Sequence, residues 1–376
     1  MYLFFLCLLN ILKMKGEKRM VNNLSDIKRL AEEYNVPEAD VLFIALNRYG
    51  VMMDDFNDNR TRFKLKTDLA DELFYFAVCV NTYPSPFKIE NNDLLLGNEK
   101  VAEIVDLEKD TCDSTYFRKN QTEMTLNSNM RSQCKGCTFC GTYNLTPEDL
   151  CDLTKIDSLR EYIEKFLDMN HKDSLDTIEG ITVCTGCFKT EQDIVNHLKM
   201  LRTVLKEYGF QKKLKYIGSQ IRSEEALKEL KEGVGDFSLY ITTEKFAERE
   251  KIMRKEKASL NLEKTIDLLD RAGKYGFDAT FLYILGLENL DIFEENLKLL
   301  APHVNKFPIV QIFQDYHKDQ EQYRIEEAKR IEYYLEARKI LEDTFENTDL
   351  KPESWENYRS LYYTKFKGKR HNSVKI

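Results

Sequence analysis

Ser132-Gln-Cys134-Lys-Gly-Cys137-Thr-Phe-Cys140-Gly-Thr-Tyr143 sets three cysteines within seven positions, two residues apart each time. Thiolates this close converge on one metal centre more readily than they fill a core. Three ligands from one loop leave one iron of a four-iron cluster without a protein thiolate. An iron with a free coordination site chelates a small molecule, so such a cluster is a reaction centre as well as an electron carrier.

Immediately before the loop, Met124–Ser128 reads as a buried strand that delivers the cysteines at its C-terminal end. After it, Thr146 caps a helix starting Pro147-Glu148-Asp149. Strands and helices then alternate. Strands fall at Gly180–Cys184, Leu214–Ile217, Phe237–Ile241, Ala279–Ile284 and Ile309–Phe313. Helices open at Thr190 and Ser223, span Leu262–Ala272, and lie near Ile292–Leu300. One helix between successive strands makes βα units and a parallel sheet. Six such units suit an open sheet: an α/β fold built as a partial parallel (β/α)6 TIM-like barrel.

Upstream, Ser25 caps a helix carrying Ile27, Leu30 and Ala31 inward, and Pro37 opens a second with Val41, Ile44 and Ala45 inward. The pair reads as a helical prefix packed on the main body, in preference to a helix-turn-helix. Residues 69–110 are expected to hold a helix, then strand pieces at Phe87–Ile89, Leu94–Leu96 and Val101–Val105 with a Gly97-Asn98 turn. Downstream, a charged amphipathic helix runs from Ile325 to about Phe345, and an aromatic tail around Trp355 docks back on the body. The expected divisions are residues 1–20, an opening that reads as an over-called start as readily as a genuine one; 21–120, an N-terminal α+β lead-in; 121–320, the barrel; and 321–376, the C-terminal helix and docking tail.

The 376 residues, 42% hydrophobic and 32% charged, with only 15 Gly and 7 Pro, describe a globular chain without long low-complexity segments. A net charge of −8 gives no basic footprint for nucleic acid. Met1–Leu12 is apolar but shorter than the ~20 residues that cross a bilayer, and lacks the flanks of a signal peptide. The nine cysteines are odd in number and clustered, which fits metal or redox use in a reducing, cytoplasmic compartment.

In parallel βα folds, ligands bind past the C-terminal strand ends. Those positions hold the cysteine loop, then Cys184-Thr-Gly-Cys187, then Gly218, Ser219, Gln220 and Arg222, suited to a carboxylate. Next come Thr242, Thr243 and Glu244, suited to a sugar hydroxyl, and finally Tyr283-Ile284-Leu-Gly286, where a flat ring fits beside the backbone.

Across residues 124–315 this arrangement resembles the radical S-adenosylmethionine superfamily. The resemblance implies a [4Fe-4S] cluster on Cys134, Cys137 and Cys140, with Phe139 matching a frequent aromatic. It also implies S-adenosylmethionine bound through its amino and carboxylate groups at the open iron. Thr185 and Gly186 would face the methionyl amine, Ser219 and Arg222 the carboxylate, Thr242 and Glu244 the ribose, and Ile284 with Gly286 the adenine. Reductive cleavage would then yield a 5′-deoxyadenosyl radical, fed by an electron donor such as flavodoxin or ferredoxin, acting on a small-molecule or peptide substrate. The sequence departs from the pattern in two places: the first cysteine gap has two residues where three are commonest, and Cys187 stands where a second glycine is usual. A zinc site on the Cys134/Cys137 and Cys184/Cys187 pairs is one alternative. A non-catalytic interaction protein is the other. Neither the catalytic residues nor the substrate follow from the sequence.

Overall fold

The computed structural model describes residues 20–110, 115–119, 121–128, 134, 136–141, 143, 153, 155–353 and 361–371. Cys7, Cys112 and Cys151, the helix expected from Thr146, and Trp355 lie outside them.

Two helices open the described chain. Helix α1 (Leu24–Tyr34) is capped by Asn23, whose side chain accepts from the Asp26 amide, two residues before the expected cap at Ser25. Helix α2 (Glu38–Tyr49) follows Pro37, and every residue from Ala39 to Tyr49 is buried. A helix enclosed on all sides has no face to offer a DNA groove, so the prefix is part of the core.

The first sheet holds β1 (Met52–Met53), β2 (Arg60–Thr67), β3 (Ala70–Cys79), β4 (Phe87–Glu90), β5 (Asp93–Leu96) and β6 (Glu99–Lys109), in the order β1-β4-β5-β6-β2-β3. The helix expected at the head of residues 69–110 is instead β3. Its Phe-Tyr-Phe-Ala-Val run suits a pleated surface. It pairs antiparallel with β2 and seats Phe74 and Phe76 at 4.5 and 5.0 Å from the Phe43 ring of α2. The Gly97-Asn98 turn joins β5 to β6, with Gly97 at φ 61. A side chain at Gly97 would also meet the Asn22 carbonyl.

The second sheet carries β7 (Tyr116–Arg118), β8 (Glu123–Asn127), β9 (Gly180–Cys184), β10 (Lys213–Gly218), β11 (Phe237–Glu244), β12 (Asp278–Leu285) and β13 (Ile309–Ile312). They lie in sequence order, with β7 and β13 at the edges. Strands β8 to β13 run parallel, and β7 adds an antiparallel edge that the periodicity did not announce. The connecting helices are α3 (Ile156–Met169), α4 (Glu191–Glu207), α5 (Glu224–Gly233), the short α6 (Lys255–Ala258), α7 (Leu262–Lys274) and α8 (Leu290–Leu300). Thr190 opens α4 with a reciprocal capping box to Asp193. The fold is therefore mixed α/β around a seven-stranded open sheet.

Helix α9 (Ile331–Phe345) starts six residues later than the expected Ile325, because 3-10 turns occupy the stretch before it. It is also less of a surface helix than its charge suggested: Ile331, Tyr334, Leu335, Leu341 and Phe345 are buried. Beyond it, Leu361, Tyr362, Tyr363 and Phe366 are buried, and the Tyr362 ring lies 5.1 Å from Phe76. Strands β14 (Lys365–Phe366) and β15 (Lys369–Arg370) form a two-residue hairpin.

Candidate functional site

The C-terminal ends of β8 to β12 surround a cavity of about 240 Å³. Cys134, Cys137 and Cys140 all line it. The loop that carries them is clamped from two sides. The Thr138 amide and hydroxyl both donate to the Ile252 carbonyl at 3.1 Å. The Gln320 amide donates to the carbonyls of Thr138 at 2.9 Å and Cys140 at 3.2 Å. Tight turns close Cys137 onto Cys140 and Cys140 onto Tyr143.

Donors also converge on the sulfurs. Gly136 N–H lies 3.4 Å from Cys134 Sγ, Arg254 N–H 3.5 Å from Cys137 Sγ, and the Arg254 guanidinium 3.8 Å from Cys134 Sγ. The Cys134 thiol is pushed down to about 5, chiefly by a hydrogen bond from Cys187. Burial pushes Cys137 up to about 11. Among the described residues, no three His, Cys, Asp or Glu side chains stand within one ion's coordination shell. A four-iron cube takes its thiolates at separate corners, wider apart than one ion's shell. Three cavity-lining thiols, Cys134 and Cys137 among them with N–H···S donors, suit that soft-ligand group.

Of the other residues singled out from the sequence, Phe139, Thr185, Gly186, Ser219, Thr242, Glu244 and Ile284 line the same cavity, as do Cys184 and Cys187. Arg222 and Gly286 are not among its lining. The Arg222 guanidinium donates to the carbonyls of Ser219 at 2.7 Å and Glu256 at 2.6 Å, and to the Ser259 hydroxyl at 3.0 Å. Gly286 has φ 108 and is enclosed by Tyr334, Phe313 and Arg324. Glu191 does more than open its helix: its carboxylate accepts from the Arg222 and Ser223 amides, tying α4 to the start of α5.

At the end of β11 the pairing with β12 shifts register between Thr242 and Glu244, and Glu244 adopts φ 66. A side-chain-bearing residue there is strained. Arg249 holds the bulge by donating to the carbonyls of Thr243 and Lys245. Glu288 binds the following turn through the Phe246 and Ala247 amides at 2.8 and 2.9 Å. The result aims Glu244 at Lys257, 2.6 Å away. Burial opposes the Lys257 charge, but Glu244, Cys137 and Cys187 outweigh it and raise its pKa. Lys257 also stands 5.9 Å over the Phe139 ring.

Lys257, Arg254 and Ile252 escaped the sequence reading because they lie in the β11–α7 connection, past the strand-end residues. Arg60, Asp110, Tyr116 and Tyr316 reach the cavity from outside the parallel strands, and no motif marks them. Gly218 has a plain packing reason, since a Cβ there would overlap the Tyr216 hydroxyl.

No protein-family model matches the chain, and no curated protein matches it. Solved structures similar to it include Streptococcus suis SuiB bound to S-adenosylmethionine, with a TM-score of 0.37 and 11% identity over 51% of this chain and 41% of that one. HydG, a maturase of the [FeFe]-hydrogenase, has a TM-score of 0.41 and 14% identity over 61% of this chain and 50% of that one. Escherichia coli coproporphyrinogen III oxidase (HemN), described as a radical SAM enzyme, has a TM-score of 0.39 and 14% identity over 58% and 52%. The chain spans about half the length of these structures, or less.

Proposed function

We propose that this chain is a radical S-adenosylmethionine enzyme on a partial (β/α)6 barrel. The observation that carries the reading is the shared cavity: three thiols of one loop open into the same space as the ends of the parallel strands. Cys134, Cys137 and Cys140 would hold the [4Fe-4S] cluster. When bound, the cluster and S-adenosylmethionine supply an electron and a 5′-deoxyadenosyl radical that takes a hydrogen atom from substrate.

The chain's own residues orient and insulate. Arg254 and the Gly136 amide offer N–H donors to thiolate sulfur, which stabilises the more reduced cluster charge. Thr185 and Gly186 let a ligand approach the backbone, and Ser219 offers a hydroxyl. The Glu244–Lys257 pair presents one fixed acceptor and one fixed cation. Arg222 shapes the Ser219 turn by donating to the Ser219 carbonyl. Phe139, Ile284 and Leu282 keep water from the reactive space. The proposal includes an external electron donor such as flavodoxin or ferredoxin and a cytoplasmic setting; no helix of the described residues is long and apolar enough to cross a membrane.

The test is anaerobic reconstitution followed by product analysis. Wild type should take up iron and sulfide and convert S-adenosylmethionine to 5′-deoxyadenosine with a strong reductant. Cys134→Ala, Cys137→Ala and Cys140→Ala should each lose the cluster. A full cluster in Cys140→Ala, or a loaded wild type that neither binds nor cleaves S-adenosylmethionine, overturns the reading.

A further inference from the structure

Cys187 is a cavity thiol that the proposed reaction does not use. It lines the cavity with the three loop cysteines, yet it comes from a different element, the connection between β9 and α4. Its thiol and its backbone amide both donate to Cys134 Sγ. Sulfurs at positions 134 and 187 are thus in direct contact.

That contact is held from both sides. Gln220, just past the end of β10, grips the Cys187 connection by accepting from the Phe188 amide at 2.7 Å and donating to the Phe188 carbonyl at 2.9 Å. The Thr190 capping box ends the same connection. On the other loop, the Gly136 amide lies 3.4 Å from Cys134 Sγ, and the Thr138 and Gln320 bonds fix the turn beyond it. Groups held in contact react without the entropy cost of an encounter. Solvent access is short. Cys187 is only partly buried, and Arg254, whose guanidinium lies 3.8 Å from Cys134 Sγ, is exposed. A molecule the size of a peroxide reaches the pair by that side.

A cysteine oxidised once is a sulfenic acid, which a neighbouring thiol converts to a disulfide. Oxidised twice it is a sulfinic acid, which thiols do not restore. Contact with a second thiol decides between the two. We propose that Cys187 is the resolving thiol of Cys134, so that peroxide turns the cluster-free pair into a reversible Cys134–Cys187 disulfide. The Cys134 sulfur attacks the peroxide O–O bond, becoming a sulfenic acid and releasing one oxygen as water. The Cys187 sulfur then displaces the remaining hydroxyl as a second water. Two thiols thereby lose two electrons and two protons to one peroxide. A dithiol reverses the bond by exchange and leaves as its own disulfide. In a reducing compartment, disulfides are of this transient kind. While it lasts, the bond takes one thiol from the loop, so the oxidised chain does not load iron. That consequence, unlike the bond itself, rests on Cys134 being a cluster ligand.

The test uses the full chain, cluster-free and reduced, treated anaerobically with a slight excess of hydrogen peroxide. It is then alkylated, digested without reductant and mapped by mass spectrometry. A Cys134 fragment joined to a Cys187 fragment should appear, lighter by two hydrogens than the pair apart, and dithiothreitol should remove it. Iron uptake on reconstitution should be lost after peroxide and return after dithiothreitol. In Cys187→Ser, peroxide should carry Cys134 to the sulfinic acid, and dithiothreitol should no longer restore uptake. Cys184→Ser, which removes the neighbouring cavity thiol, should still form the disulfide. The wild-type map decides the pairing even where a variant fails to fold. No Cys134–Cys187 fragment in wild type, a bond within the loop or to Cys184 in its place, or equal sulfinic acid in wild type and Cys187→Ser overturns the proposal. These masses need no radical chemistry, so a missing disulfide beside intact 5′-deoxyadenosine formation condemns the pair alone. A chain that forms the disulfide and still loads iron in full condemns Cys134 as a ligand.

Discussion

Lys257 and Glu244 are a buried pair of single residues whose loss should be unequal. Their side chains are 13% and 10% exposed. Removing one partner of such a pair costs about 3–5 kcal/mol because the other charge stays buried, while replacing both costs far less. Lys257→Met should therefore destabilise the chain by about that amount in urea unfolding. The double variant Lys257→Met/Glu244→Gln should recover most of the loss. Equal destabilisation by single and double variants would mean that the two charges do not depend on one another. Arg222 illustrates the limit of reading residues singly. Its position after β10 suggested a ligand contact, but nothing in the sequence shows that the β11–α7 connection arrives to occupy its guanidinium.

At the scale of elements, β7, β8 and β10 are stitched by charge. Arg118 donates to Glu123 and to the Thr182 hydroxyl, each at 2.8 Å, and Lys215 lies 3.6 Å from Glu123. Burial opposes the Glu123 charge, but Arg118, Lys215 and Lys119 outweigh it and hold the carboxyl down to about 2. A depressed carboxyl stabilises above its unfolded pKa, and that stability drains away as pH falls toward the folded value. Glu123→Gln should thus be less stable than wild type at neutral pH, with the gap closing between about pH 4.5 and 2. Melting curves across that range check it; a constant gap would make the residue's role steric. The parallel strands were legible because each is a short apolar run with a capped helix after it. β3 was not, since its first residues, 70–73, look helical until pairing with β2 fixes the strand. β7 is three residues long, too short for any period to register.

For the whole molecule, the two sheets are joined through the segment after β13. Asn59 and Arg60 reach Tyr316, and Gln314 reaches Asn47 and Ala77. Asp315 lies between them, fully buried and 2.8 Å from Arg324. Burial raises its pKa from 3.8 to about 7, Arg324 opposes, and a hydrogen bond with Glu321, whose own pKa is lowered in return, adds to the rise. Here the sign is reversed. The folded state keeps a proton that the unfolded state has already released, so stability is lost as pH rises from about 4 to 7. Asp315→Asn should flatten that slope, and urea midpoints across the same range measure it. An unchanged slope would assign the dependence to another group.

The ion pair between Asp40 on α2 and Arg338 on α9 spans 298 residues at 2.6 Å, and the Thr364 amide reaches the same carboxylate from 324 residues away. A ribosome makes Asp40 298 residues before Arg338. Until then Asp40 is a charge with no counterpart, and α2 lacks the layer that encloses it. Helix α2 is thus completed by residues made roughly 300 positions after it. Nascent chains stopped short of Arg338 should be cut by protease within residues 38–49, and extension past Thr364 should end that sensitivity.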